Sequence, residues 1–172
     1  MLVSAVTRDP APGPAGAEDF EAFFGKHYEP LLRTMYLVTG DRHEAEDLAE
    51  DAFVRAFERW DRIRRMENPS GYVYRIALNA HRSRLRRIAA ATKRPVSLDP
   101  TDPIADSDDR DSIRRLLAML PDGQREVLVL IEWLGMTSEE AGDVLGISAG
   151  AVRVRLTRAK QALRFVSEGA PA

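Results

Sequence analysis

The chain has 172 residues, a net charge of −2, 44% hydrophobic residues and no cysteine. That apolar content supports folded cores over wholesale disorder, and the length fits one medium domain or two small ones. The missing cysteine excludes disulfides, zinc–thiolate sites and cysteine catalysis and fits a cytoplasmic setting, and no apolar run is long enough to cross a membrane.

Residues 1–17 hold Pro10, Pro12, Gly13, Pro14 and Gly16 among alanines, with no basic start followed by an apolar run. They read as a disordered lead-in rather than a signal peptide. Phe20, Phe23, Phe24, His27, Leu31 and Met35 then recur at helical spacing up to a stop at Gly40. Asp41, with Glu44 three residues on, forms a capping-box pattern and opens a second helix. Its apolar face is Ala45, Leu48, Ala49, Ala52, Phe53, Ala56, Phe57 and Trp60, opposite Glu44, Asp47, Asp51 and Glu58. Asn68-Pro69 starts a third helix, because asparagine caps well and proline suits the first helical position. It runs to about Ala91 and buries Tyr72 or Val73, Ile76, Ala77 and Ala80.

From Lys93 to Asp111 the periodicity collapses into Pro95, Pro100 and Pro103 among aspartates, which is linker composition. Ile113, Leu116, Leu117 and Leu120 restore it. Pro121 begins a helix carrying Val127, Leu128, Leu130, Ile131 and Leu134, which ends at Gly135. Thr137 and Glu140 repeat the capping-box pattern on a short helix through Leu145. Gly146 suits a left-handed stop and Ser148 caps a longer basic helix, so the last 36 residues have a helix-turn-helix layout. The fold class is all-α: two small helical domains, 18–91 and 111–168, joined by an acidic Pro/Asp-rich linker at 92–110, with a tail at 169–172.

Charge is distributed in blocks along the chain. Residues 18–60 are net −6, 61–95 net +8, 96–147 net −8 and 148–172 net +4. Two basic blocks alternating with acidic ones suggest two polyanion contacts, each backed by a repelling surface. At 100° per residue, Val152, Leu156, Ala159 and Leu163 form the buried arc of the final helix. Opposite lie Gly150, Val154, Thr157 and Gln161, flanked by Arg153 and Arg158, which suits major-groove reading by the two arginines. Arg155, Lys160 and Arg164 sit nearer the edges as phosphate contacts or plain surface. On the third helix, Arg75, Asn79, Arg82 and Arg86 form one stripe near Tyr72 and Tyr74. Cations beside rings suit an unpaired strand, though either tyrosine equally suits the core. His27, His43 and His81 are scattered, and His27 sits on an apolar face where packing explains it better than a metal. No phosphate loop, HExxH or GxSxG motif is present, so no catalytic residue, metal or cofactor is expected.

Three stretches resemble the extracytoplasmic-function sigma factors of bacteria. These are Phe20–Trp60, "NPSGYVYRIALNAHRSRLRR" (Asn68–Arg87), and Leu120–Leu163 with "TSEEAGDVLGISAGAVRVRLTRAKQAL". The resemblance implies a non-enzymatic initiation factor that binds core RNA polymerase and promoter DNA and helps to melt it. It implies a polymerase contact at Asp47, Leu48, Glu50, Asp51 and Arg55. For the −10 element it gives Asn79, Arg82 and Arg86 their expected roles, beside the further candidates Asn68, Tyr72, Tyr74 and Arg75, with a flipped base held by the loop Ile63–Ser70. For the −35 element it aligns Arg153 and Arg158 with contacting positions, beside the further candidates Ser148, Gly150, Val154, Arg155, Thr157 and Gln161. An anti-sigma partner is common in the family, and the linker is either a polymerase-threading segment or a tether. Glu50 stands where the family often has glutamine, Tyr72 where tryptophan is common, and Val154 where serine is frequent. The alternative from the residues alone is a helix-turn-helix regulator with an N-terminal dimerisation or effector domain.

Overall fold

A computed structural model of the chain describes the backbone of residues 15–92 and 108–169 and the side chains of 19–91 and 112–165. Every element it describes is helical: α1 (Ala15–Thr39), α2 (Arg42–Glu58), α3 (Trp60–Ile63), α4 (Pro69–Thr92), α5 (Asp108–Ala118), α6 (Asp122–Leu128), a π turn (Val129–Trp133), α7 (Ser138–Leu145) and α8 (Ala149–Gly169). The expected lead-in falls outside the described residues up to residue 14, as does most of the linker, at 93–107. The first helix begins at Ala15, three residues before the boundary expected from the sequence.

The first half is built around α2. Leu48, Ala49, Ala52, Phe53 and Ala56 are buried against α1 and α4. Aromatic rings of α1 close one end: Phe20 meets Trp60 edge-on with centroids 5.3 Å apart, and Phe24 meets Phe53 at 5.0 Å. The short helix α3, which the periodicity does not reveal, turns Trp60 and Ile63 back into this core. Gly40 (φ +73°) ends the run of α1, and the Asp41 carboxylate accepts the Glu44 amide at 2.8 Å. The reciprocal half of that capping box does not form. Thr39 Oγ1 accepts from the Asp41 amide instead, while the Glu44 carboxylate lies 2.9 Å from Nδ1 of buried His81 and so ties α2 to α4.

In the second half, α7 and α6 pack on α8, with Val127, Leu130, Ala141, Val144, Val152 and Ala159 at the centre. The sequence suggests one regular helix from Pro121 to Leu134. The chain instead widens into a π turn, with the Leu134 amide donating to Val129 O at 3.2 Å, and Trp133 is left 57% exposed. Ile113, expected on the buried side of α5, is exposed, while Leu117 and Leu120 are buried.

The halves pack against each other, α7 on α4 and α1 against α5, α6 and the π turn. The last carbonyls of a helix have no partner within it, and at the end of α1 arginines of the second half supply the donors. Buried Arg125 donates to Val38 O at 2.9 Å and also to Leu117 O and Leu120 O of its own half, both at 2.8 Å. Arg114 reaches Gly40 O at 3.5 Å. Burial pulls the Arg125 guanidinium below its ordinary pKa, with Asp122 and Glu126 opposing the shift.

Candidate nucleic-acid interface

The helix-turn-helix forms as its residue types dictate. Thr137 accepts the Glu140 amide at 3.1 Å and the Glu140 carboxylate accepts the Thr137 amide at 2.7 Å, so both halves of the box are present. Gly146 takes the left-handed conformation (φ +68°, ψ +35°), which a side chain would strain. Ser148 Oγ accepts the Ala151 amide at 3.1 Å and starts α8. Gly142 is the point of closest approach: a Cβ there would meet Ile147 O at 2.7 Å.

Val152 and Ala159 of α8 are fully buried and Leu156 and Leu163 half-buried, which turns Gly150, Arg153, Val154, Thr157, Arg158 and Gln161 to solvent together. Arg153 rests 3.3 Å from Glu139 across the turn, with both side chains well exposed, so solvent weakens the pair. Thr157 donates to Arg153 O at 2.9 Å. Arg155 is half-buried, its guanidinium lying against Gly123. Lys160 pairs with Glu132 at 2.7 Å.

On α4 the expected stripe divides. Arg75, Asn79 and Arg86 are exposed. Arg82 is captured: its guanidinium binds both carboxylate oxygens of buried Glu126 at 2.6–3.1 Å and donates to Leu145 O at 3.0 Å. Tyr74 is corrected from a strand contact to a core residue. It is 6% exposed and hydrogen-bonded with Thr34, and burial raises its hydroxyl pKa against the lowering effect of that bond. Tyr72 is half-buried, with Val73 filling the core beside it. Asn68 serves as the N-terminal cap of α4, its Oδ1 accepting the Gly71 amide at 2.8 Å.

On α2, Asp47, Glu50, Asp51 and Arg55 are exposed along one wall of a cleft of about 720 Å³, opposite Asn79, Ser83, Arg84 and Arg87 of α4. Leu48, expected both on the apolar face of α2 and at the polymerase contact, sits in the core at 6% exposure and reaches only the floor of this cleft. Sequence reasoning missed an adjoining apolar groove formed by Phe20, Phe24, Phe53, Val54 and Phe57 between Glu50 and Glu58. Phe57, expected in the core, is 56% exposed and Val54 59%. The signal for it was Val54, four residues from both Glu50 and Glu58, with Phe57 three residues further along the same helix. Among the described residues no group of three or more His, Asp or Glu could hold a metal ion, and no helix is long and apolar enough to cross a membrane.

Residues 23–91 match the model of Sigma-70 region 2 and residues 110–163 that of Sigma-70, region 4. An RNA polymerase sigma-E factor of Streptomyces avermitilis is 33% identical over 150 residues, covering 85% of this chain and 83% of the relative. The ECF RNA polymerase sigma factor ShbA of Streptomyces griseus is 36% identical over 140 residues, covering 74% and 73%.

The chain belongs to the ECF sigma factors of the sigma-70 family.

As a sigma factor it binds core RNA polymerase and directs promoter recognition through its region 2 and region 4, and it is not an enzyme. The fold of the sigma factor RpoE from Bartonella quintana, solved in complex with the anti-sigma factor NepR, superposes with a TM-score of 0.75 over 90% of this chain and 99% of that one, at 21% identity. CnrH, solved with the cytosolic domain of CnrY, gives 0.66 over 90% and 91%, at 25% identity. Region 2 thus corresponds to α1–α4 and region 4 to α5–α8.

Proposed function

We propose that region 4 reads −35 promoter DNA through α8, with Arg153 and Arg158 reaching base edges and Ser148, Gly150, Val154, Arg155, Thr157 and Gln161 lining the approach. The observation that carries this reading is the single outward face of α8, opposite Val152 and Ala159. Val154, half exposed between the two arginines, suits contact with a thymine methyl. Arg75, Asn79, Arg82 and Arg86 of α4 track the opened −10 strand, with Tyr72 and the capping loop around Asn68 at its edge. Cations along one helix neutralise phosphates without reading sequence. The acidic wall of α2 and the Phe24–Val54–Phe57 groove dock on core polymerase, and the protein acts in the cytoplasm.

One protein of this fold, the sigma factor RpoE, was solved in complex with an anti-sigma factor. An anti-sigma factor fits this chain in the same way. The domains are region 2 at 18–91 and region 4 at 111–168, and the acidic segment 92–110 joins them.

Purified protein mixed with core polymerase and candidate promoter DNA should yield specific transcripts. Arg153→Ala and Arg158→Ala should each lower them about tenfold or more, the loss of one bidentate base contact, with polymerase binding retained. Full-strength transcription by both variants would overturn the assignment of α8.

A further inference from the structure

The bond between Arg82 and Glu126 joins a basic face of region 2 to the interior of region 4. Glu126 is 1% exposed, and its carboxylate meets the guanidinium in a forked pair while Leu145 O, at the end of α7, takes a further N–H. Arg82 keeps 22% exposure, whereas Arg75, Asn79 and Arg86 on the same stripe are open. A carboxylate accepting two parallel N–H bonds presents an arginine with the same geometry as a phosphate. Around this pair, Arg125 and Arg114 hold the end of α1, so polar bonds fasten the halves at two places as α7 covers α4.

This closed form conflicts with promoter geometry. Elements centred at −35 and −10 lie roughly 25 base pairs apart, about 85 Å along B-DNA at 3.4 Å per pair. Helices that touch across a hydrogen bond cannot bridge that span.

We infer that Glu126 is an intramolecular latch: it occupies Arg82 as a phosphate surrogate and holds the free sigma factor closed, so that polymerase and promoter engage only after the halves part. The inference rests on the reading of region 2 and region 4 as binding separate parts of one start site. A closed ground state lowers apparent affinity by the fraction of molecules that are open.

The test uses the full chain. Because it has no cysteine, dyes are placed at Lys26→Cys and Asp143→Cys, two exposed positions in different halves. Glu126→Gln removes the charge while keeping the shape. It should lower energy transfer in the free protein and tighten apparent affinity for core polymerase about tenfold. Adding core polymerase to the parent protein should lower transfer as well. If Glu126→Gln folds poorly, Glu126→Asp, which keeps a charge but withdraws it by one methylene, should give the same direction. Transfer unchanged by the variant that folds, or an opened variant with parental affinity, overturns the latch. Transfer in the free protein reports closure whether or not transcripts form, so failure of the latch and failure of the promoter assignments are separate results.

Discussion

Phe57 stands four residues after Phe53 on one face of α2, yet only Phe53 is covered. Phe20, Phe24 and Tyr28 close over Phe53, while Phe57 lies at the rim with only an edge contact to Phe20 at 4.9 Å. Periodicity therefore identifies the face but not where the neighbouring helix ends. An exposed ring flanked by carboxylates favours a partner surface of apolar and basic character. Phe57→Ser should leave stability within about 1 kcal/mol in urea unfolding and weaken core polymerase binding about tenfold in a titration; Asp47→Lys with Asp51→Lys should weaken it further. Equal affinities would make the groove plain surface. His27 lies 4.5 Å from Phe23 with the rings tilted by 43°, and burial, then Lys26, lowers its pKa from the ordinary 6.5. The unfolded chain then binds a proton that the folded protein refuses. Stability should fall as pH drops through 6.5 toward the lowered folded value, and His27→Gln should flatten that part of a stability–pH curve.

At the scale of elements, local chemistry was largely legible. Thr137, Glu140, Gly146 and Ser148 each carry a conformational preference that needs no distant partner, and all four form the caps and stop they imply. Thr137→Ala should therefore cost about 1 kcal/mol of stability, read as a lower urea midpoint with an unchanged slope. Asp41 and Glu44 show where the same reasoning runs out. Glu44 has a stronger claim on it from His81, 37 residues away, and local pattern cannot announce that bond. The π turn was hidden for a related reason: the residue types of Val129–Trp133 do not single out a widened turn, and the bond that defines it, from the Leu134 amide to Val129 O, shows only in the fold. The face proposed for −35 DNA was legible because the burial of Val152 and Ala159, with Leu156 and Leu163, sets the rotation of α8; the stripe proposed to track the opened strand was legible only in part, since Tyr74 belongs to the core and Arg82 to Glu126.

Across the whole molecule, the alternating charge blocks take on a second meaning. They suggested two cationic surfaces, each with an anionic back, and the structure brings one acidic residue of the third block, Glu126, against one basic residue of the second, Arg82. Sequence separation of 44 residues, through a proline- and aspartate-rich segment, conceals such a meeting. Buried Arg125 and Glu126 were equally hidden, because charged neighbours in sequence read as surface until their partners are known. One small feature bears on how such a protein changes over generations. At Gly142 the backbone of the turn sits where even a methyl group would collide, so main chain meets main chain where α7 turns into α8 and the close seating of α8 depends on that glycine. On the proposed reading of α8, exchanging the side chains it presents alters the vocabulary of the lineage while the glycine keeps the hand that holds the page still.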